Sequence, residues 1–407
     1  MIKGNMVIGQ SGGPTAAINA SLAGVIKEAL TSDFEGKILG MVNGIEGLLK
    51  EKFTDLGETF SKEGNLEKLI HTPSAYLGSC RYKMPKPDKD SSVYDKVFEI
   101  FEKHNIRYFF YIGGNDSMDT VYRLSEYAKT KDYEIYIMGI PKTIDNDLAM
   151  TDHCPGYGSA AKFVATAVKE MHRDTNVYDL ESVLIVEVMG RNAGWLTAAS
   201  ALAKDDTCSS PDLIYLPEVP FSMDKFISDV KKCLTEKKVV LVAISEGIKD
   251  ASGVYVCEST ASGAVDNFGH KYLSGSGKVL ENAVREKIGV KARAVELNVF
   301  QRCASHLQSK TDVEEALANG SAAFREALSG TTGKMMGYVR CGDYKIKFEA
   351  MDISKIANEE KMVPAEYINS EGNGVTEEFI KYARPLIMGE SYPVYENGMP
   401  CHLVLSK

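Results

Sequence analysis

Residues 133–147 read YEIYIMGIPKTIDND. The first eight are an apolar run of strand length, rich in isoleucine and tyrosine; the next seven crowd two carboxylates, an ammonium, a hydroxyl and an amide into a single short segment. A buried strand that hands over abruptly to polar groups is the pattern of an open α/β sheet, where ligands sit outside the carboxyl ends of the strands. The same residue types also make a capped turn, because Asp and Asn bond their own backbone. The heptad 141–147 therefore marks a strand end, and its chemistry depends on what else reaches it.

Working outward, the pattern recurs. Residues 6–9 are apolar and lead into Gln10, Ser11, Gly12, Gly13 and Pro14, then a helix-like alanine-rich stretch. Residues 106–112, IRYFFYI, lead into GGNDSMDT at 113–120, and residues 182–189, SVLIVEVM, lead into Gly190 and Arg191. Further strands are expected at 36–42, 212–216 and 238–244, a strand pair at 335–340 and 344–350, and a strand-like run with arginine at each end at 293–302. Helical spacing is read at 93–104, 121–128, 156–171, 193–203 and 312–328. The Gly- and Ser-rich segment 250–277 reads as a mobile loop. Strands alternating with helices predict parallel sheets, and 407 residues exceed one ordinary core, so two domains are expected.

With 44% hydrophobic and 25% charged residues the composition is that of a globular protein. A net charge of −9 argues against a general nucleic-acid or acidic-membrane surface and confines any anion site to a local basic pocket. The eight cysteines are scattered without CxxC or zinc-like spacing, which reads as reduced thiols in a cytoplasm. The start of the chain has too short an apolar run for a signal peptide, and no run of eighteen apolar residues predicts a membrane span.

Each polar cluster carries two readings. Glycines at 12 and 13 before a helix bring backbone N–H groups close to an anion, or simply ease a turn. Gly114 with Asn115, Asp116 and Ser117 places amides beside oxygen ligands, which suits phosphate with magnesium, and equally caps a helix. Arg81 and Lys83, near Gly78, are a solvated charge pair by default, whereas a loop folded over phosphate gives Arg81 a bidentate contact. Arg191 at a strand end is a ready phosphate clamp or a satisfied surface cation. Glu246 stands just past the strand at 238–244.

Taken together, GQSGG (9–13), GSCR (78–81), GGND (113–116), PKTIDND (141–147), MGRNAG (189–194), SEG (245–247) and FQR (300–302) resemble the phosphofructokinase family, and more closely its pyrophosphate-dependent members. The resemblance implies two three-layer α/β/α domains with the active site in the cleft between them: residues 1–157 plus about 301–355 for the phosphoryl donor, and 158–300 plus about 356–407 for the sugar phosphate. It implies Asp145 as the general base toward the sugar 1-hydroxyl, Asp147 with the metal, and Thr143 at the substrate hydroxyl or transferring phosphate. Ser11, Gly12, Gly13, Arg81, Gly114 and Ser117 fall to the donor, and Met189, Gly190, Arg191, Glu246, Arg293 and Arg302 to the sugar phosphate, with Arg293 reaching a neighbouring subunit. Mg2+ is the implied cofactor, with Asn115, Asp116 and Asp147 around it. ATP-dependent relatives carry glycine at the place of Asp116 and usually of Lys142; the Asp and Lys pair goes with pyrophosphate, since a carboxylate there repels a nucleotide α-phosphate. The departures are Asn115 for a family Asp, Ser182 for an Arg, and Val299 for a His or Tyr. The implied partners are pyrophosphate and fructose 6-phosphate in a homodimer or homotetramer. ATP as donor, sedoheptulose 7-phosphate as acceptor, and an inactive regulatory subunit or sugar-phosphate sensor on the same scaffold are the competing readings.

Overall fold

The computed structural model describes residues 2–259, 273 and 275–405. Strands β1 (Asn5–Gln10), β2 (Ile38–Met41), β3 (Phe53–Asp55), β4 (Ile106–Gly113) and β5 (Tyr136–Pro141) come first, followed by β6 (Ser182–Val188), β7 (Leu213–Tyr215), β8 (Val239–Ser245) and β9 (Lys291–Glu296). The short β10 (Gln308–Ser309) precedes β11 (Lys334–Cys341) and β12 (Lys345–Asp352). The helices are α1 (Ile18–Thr31), α2 (Gly44–Leu49), α3 (Leu56–Phe60), α4 (Asn65–Ile70), α5 (Ser92–Lys103), α6 (Asn115–Ala128), α7 (Tyr157–Thr175), α8 (Trp195–Ala199), α9 (Met223–Glu236), α10 (Ser276–Lys287), α11 (Lys310–Leu328) and α12 (Glu377–Ala383).

Two sheets organise these elements. The first has the order β12-β11-β5-β4-β1-β2-β3, parallel from β11 to β2 with an antiparallel strand at each edge; the second has the order β7-β8-β6-β9 and is parallel throughout. Strands buried on both faces read as continuous apolar runs, and β4 is such a strand, with Tyr108, Phe109, Phe110 and Ile112 fully buried. One face of the first sheet packs on α1 and α11, the other on α5 and α6; the second sheet is sandwiched between α7, α8 and α12 on one face and α9 and α10 on the other. Helices α1 and α11 touch backbone to backbone, and a Cβ on Gly24 would stand 2.0 Å from Leu317 O, so a larger residue there would force the pair apart.

Topology fixes where a ligand goes. In the first sheet the chain leaves β1 toward β2 on one side, while β4 and β5 lie on the other. In the second, β8 and β9 flank β6 on opposite sides. Binding crevices open at such reversals, outside the carboxyl ends of the strands. The residues after β1 and β4, and those after β6, thus face the site from two sheets.

Three expectations need correction. Residues 293–302 are not one strand: β9 ends at Glu296, Asn298 takes a left-handed φ of 45°, and Asn298–Arg302 form a 3-10 turn, so Arg302 leaves the sheet. The helix read at 193–203 is a five-residue α8 followed by a 3-10 turn at Ser200–Ala203. The chain end does not stay wholly with the second sheet, because Leu403 and Leu405 pack on the α1 side of the first and the Leu403 amide donates to Thr72 Oγ1 at 2.8 Å. Of the segment 250–277, Val256–Ser259 form a 3-10 turn and α10 begins at Ser276, while residues 260–272 and 274 lie outside the described residues. Among the described residues, no helix is long and apolar enough to cross a membrane.

Candidate active site

The loop after β5 is held open by its neighbours. The Lys142 amide donates to Gly113 O at 2.9 Å, which ties it to the end of β4, and the Thr143 amide donates to Pro155 O at 3.2 Å. Asn146 adopts φ 55° and is fully buried; its amide donates to Tyr382 Oη at 2.8 Å and accepts from the Cys154 amide at 3.0 Å. Asn146 thus ties the turn to residues outside it, while the local capping bond comes from Thr143, whose hydroxyl accepts the Asp145 amide at 3.1 Å, so the capping and ligand readings of this heptad coexist. Asp145 and Asp147, on either side of it, face a cleft of about 630 Å³ between the two sheets.

That cleft gathers the other strand-end loops. Ser11, Gly12 and Gly13 line it from β1, Gly114, Asn115, Asp116 and Ser117 from β4, Met189 and Arg191 from β6, Glu246 from β8, and Arg81, Lys142, Thr143 and Arg302 complete it. The glycine loop is pinned by Ser79, whose hydroxyl donates to Gly12 O at 2.6 Å, and by the Gly12 amide on Cys80 O at 3.3 Å, which brings the 78–81 loop alongside. Gly12 has φ 76°, and a Cβ on it would meet Lys142 Nζ at 3.4 Å. Lys142 in turn donates to Gly13 O at 2.5 Å. Glycine here admits the left-handed backbone, while a Cβ would make only ordinary contact with the ammonium.

Two of the expected residues do not line the cleft. Gly190 lies behind it, at φ 144°, and donates its amide to Glu246 Oε1 at 3.4 Å, so it shapes the site through that carboxylate. Arg293 stands exposed on β9, outside the cleft of its own chain. Arg302 is present, but its guanidinium reaches the glycine loop: a Cβ on Gly13 would lie 3.5 Å from its Nη1.

Charge in the cleft is poorly solvated. Burial pushes the Asp145 carboxyl up, against the pull of Lys142 and Arg191. Asp147 is pushed up to about 7 by burial and then by Asp145 and Glu360. Glu246 rises to about 7 through burial first and Asp145 second. Lys142 falls to about 8 because burial outweighs the attraction of Asp145 and Asp147. Burial that outweighs the nearby opposite charges is the electrostatic signature of a site built to receive charge.

The Asn115 amide is best satisfied with its nitrogen donating to Glu359 O at 3.1 Å and Ile356 O at 3.2 Å. Its oxygen then takes the position 3.5 Å from Asp147 Oδ2. Two oxygen acceptors facing each other in a cleft fit a hard cation between them. Among the described residues there is no cluster of three or more acidic, histidine or cysteine side chains arranged to hold a metal ion.

Sequence reading missed four polar lining residues. Lys83, read there as a solvated charge, lies 4.0 Å from Asp116. Asn192, Asn358 and Glu360 also face the cleft, and the Asn192 amide donates to both Glu360 oxygens at 3.0 and 3.2 Å. Asn192 lay inside the quoted MGRNAG motif; Asn358 and Glu360 carried no signal, being far from any strand-end pattern.

Against known proteins, the phosphofructokinase family profile matches residues 5–323. The chain is 39% identical over 406 residues to a pyrophosphate–fructose 6-phosphate 1-phosphotransferase of Methylococcus capsulatus, covering 98% of this chain and 96% of that one. It is 40% identical over 410 residues to the protein of the same name in Xanthomonas campestris, covering 100% and 97%. The crystal structure of a pyrophosphate-dependent phosphofructokinase from Nitrosospira multiformis superposes with a TM-score of 0.88 at 37% identity, covering 99% of this chain and 96% of that one.

Proposed function

The chain belongs to the phosphofructokinase family, and from that premise we propose that it is a pyrophosphate-dependent phosphofructokinase. It transfers a phosphoryl group reversibly from pyrophosphate to the 1-hydroxyl of fructose 6-phosphate, giving fructose 1,6-bisphosphate and phosphate. The observation that carries the reading is the pairing of Asp116 and Lys142 in one cleft with the glycine loop. Asp116 opposes a further phosphate beyond the diphosphate, and the buried ammonium of Lys142 faces the charge of the short donor and its leaving group.

Phosphoryl transfer asks for positioning and for cations around the equatorial oxygens more than for covalent chemistry. In this reading Asp145 accepts the proton of the attacking hydroxyl as the oxygen–phosphorus bond forms, and Thr143, whose hydroxyl accepts the Asp145 amide at 3.1 Å, keeps the carboxylate aimed. Arg191 and Lys142 stabilise the charge in transit, Arg81 and the Gly12–Gly13 loop hold the donor, and Met189 and Glu246 seat the sugar. Asp147 and Asn115 would hold Mg2+, with Asp116 adjoining, and the charge neutralisation that phosphoryl transfer needs would come from that ion. Arg293, exposed on β9, serves the sugar phosphate of a second copy, so the enzyme works as a homodimer or homotetramer.

The test is a donor panel with fructose 6-phosphate and magnesium. Turnover with pyrophosphate at least a hundredfold above that with ATP is expected. Turnover with ATP and none with pyrophosphate sinks the donor assignment, and no turnover with either favours the inactive regulatory subunit.

A further inference from the structure

Residues 356–361 run from the edge of the first sheet toward the second and form an end wall of the cleft. Ile356 is fully buried in the cluster that holds Met118 and Val121 of α6. Its carbonyl and that of Glu359 hold the Asn115 amide. Asn358 takes φ 65° and donates its side-chain amide to Asp119 Oδ1 at 3.0 Å. Glu360 is held from the far side by Asn192. Lys361 anchors the whole: its amide donates to Asp147 O at 2.7 Å, its ammonium to Thr151 O at 3.0 Å and Asp152 O at 2.8 Å, and its carbonyl accepts from Trp195 Nε1 at 2.8 Å. A segment bonded to both halves along its length does not swing aside for a longer ligand without breaking several of those bonds.

Asp116 and Asp119 are three residues apart on α6 and share a face. A donor that continued past Asp116 along that face would run toward Asp119, which is buried with Asn358 and Arg123 bonded to it, and Asn358 and Glu360 line the cleft there. We propose that residues 356–361 are a donor-length gauge: they close the donor half of the cleft so that a diphosphate fits, while a linear triphosphate, free or carried by a nucleoside, meets the Asn358 side chain and the charge of Glu360. The proposal rests on the pyrophosphate reading above and adds a steric determinant, from a distant part of the chain, to the charge at Asp116. It also implies that removing Asp116 alone leaves the longer donor excluded.

The experiment compares the full-length chain with Asp116→Gly, Asn358→Gly and the double variant, using pyrophosphate, inorganic tripolyphosphate and ATP. Glycine at 358 keeps the left-handed backbone and removes the side chain. The double variant is expected to exceed Asp116→Gly in kcat/KM for tripolyphosphate by at least about tenfold, the scale of relieving one misfit in a pocket, with ATP following. Equal values for Asp116→Gly and the double variant, with both long donors, overturn the gauge. Asn358→Ser, which shrinks the side chain and keeps a hydroxyl for Asp119, replaces the glycine variant in the comparison if that one melts early. The unmodified chain separates the two readings: preference for ATP there defeats the pyrophosphate assignment, whereas preference for pyrophosphate with no gain in the double variant defeats the gauge alone.

Discussion

Asp147 and Asp152 lie five residues apart on the same loop, yet their carboxyls are driven in opposite directions. Asp147 is pushed up to about 7 by burial and by the neighbouring carboxylates Asp145 and Glu360. Asp152 is less deeply buried and is held down at about 2, because His153 and Arg340 more than offset its burial. Arg340 forks onto it with Nε at 3.1 Å and Nη2 at 2.9 Å, and His153 sits between Asp152 Oδ1 at 2.7 Å and Glu315 Oε2 at 2.8 Å. Both imidazole nitrogens thus face carboxylates, an arrangement that only the protonated ring satisfies as a double donor. One cluster is saturated and ties the loop to α11, β11 and the Tyr382 carbonyl; in the other, burial outweighs the nearby cations and the carboxyls line a cleft. Complete pairing fixes the loop, and pairing that burial outweighs leaves charge for a substrate to complete.

The comparison is broken most severely at Asp145. Asp145→Asn keeps the size and the backbone bond to Thr143 but removes the proton acceptor, and turnover with pyrophosphate is expected to fall about 10³-fold. Fructose 6-phosphate binding, measured by protection against thermal unfolding, is expected to change little. Turnover within tenfold of the parent would remove Asp145 from the role of base.

The saturated cluster predicts a stability effect in place of a catalytic one. Arg340→Met leaves Asp152 with a single partner and is expected to cost about 2–3 kcal/mol of unfolding free energy. The pH dependence follows from the shifts. His153 is raised in the folded chain despite its burial, with the Asp152 and Glu315 bonds responsible. Its contribution is complete below the unfolded histidine pKa of about 6.5 and is lost as pH rises through the higher folded value. Asp152, depressed, contributes above its unfolded pKa of about 3.9 and loses that contribution as pH falls toward about 2. The melting temperature should therefore decline on the alkaline side of pH 6.5, and His153→Gln should flatten that slope. An unchanged slope would mean that His153 is neutral in the folded chain.

The sequence carried the fold because its strands are doubly buried and its turns are polar, so β1, β4, β5, β6 and β8 could each be read from local composition. It carried the strand-end half of the site for the same reason: Gly12, Asn115, Asp116, Asp145, Arg191 and Glu246 all stand directly after a strand and all reach one cleft. What it withheld was long-range. Asn358 and Glu360 touch residues that lie more than 160 positions earlier, from a segment with neither strand nor glycine-turn signature. Lys361 is a buried ammonium whose bonds go to backbone carbonyls, so no complementary side chain announced it. Asn298 ended a strand by a left-handed backbone that its residue type allows without requiring.

Lys83 gives the smallest and most discriminating effect. It stands at the rim of the unsaturated cluster, with a side chain 59% exposed and 4.0 Å from Asp116. A pair that open is screened and holds the fold by little, so Lys83→Met should leave stability within about 0.5 kcal/mol of the parent. If the pair exists to present a cation to the donor, its loss must show in binding: the KM for pyrophosphate should rise about fivefold at low salt, with kcat nearly unchanged and the difference shrinking as ionic strength rises. The same substitution placed in the saturated cluster would lower the melting temperature and spare KM. A fall in stability without a change in KM would therefore move Lys83 out of the cleft's chemistry and into the scaffold, and the contrast between the two clusters would lose its rim.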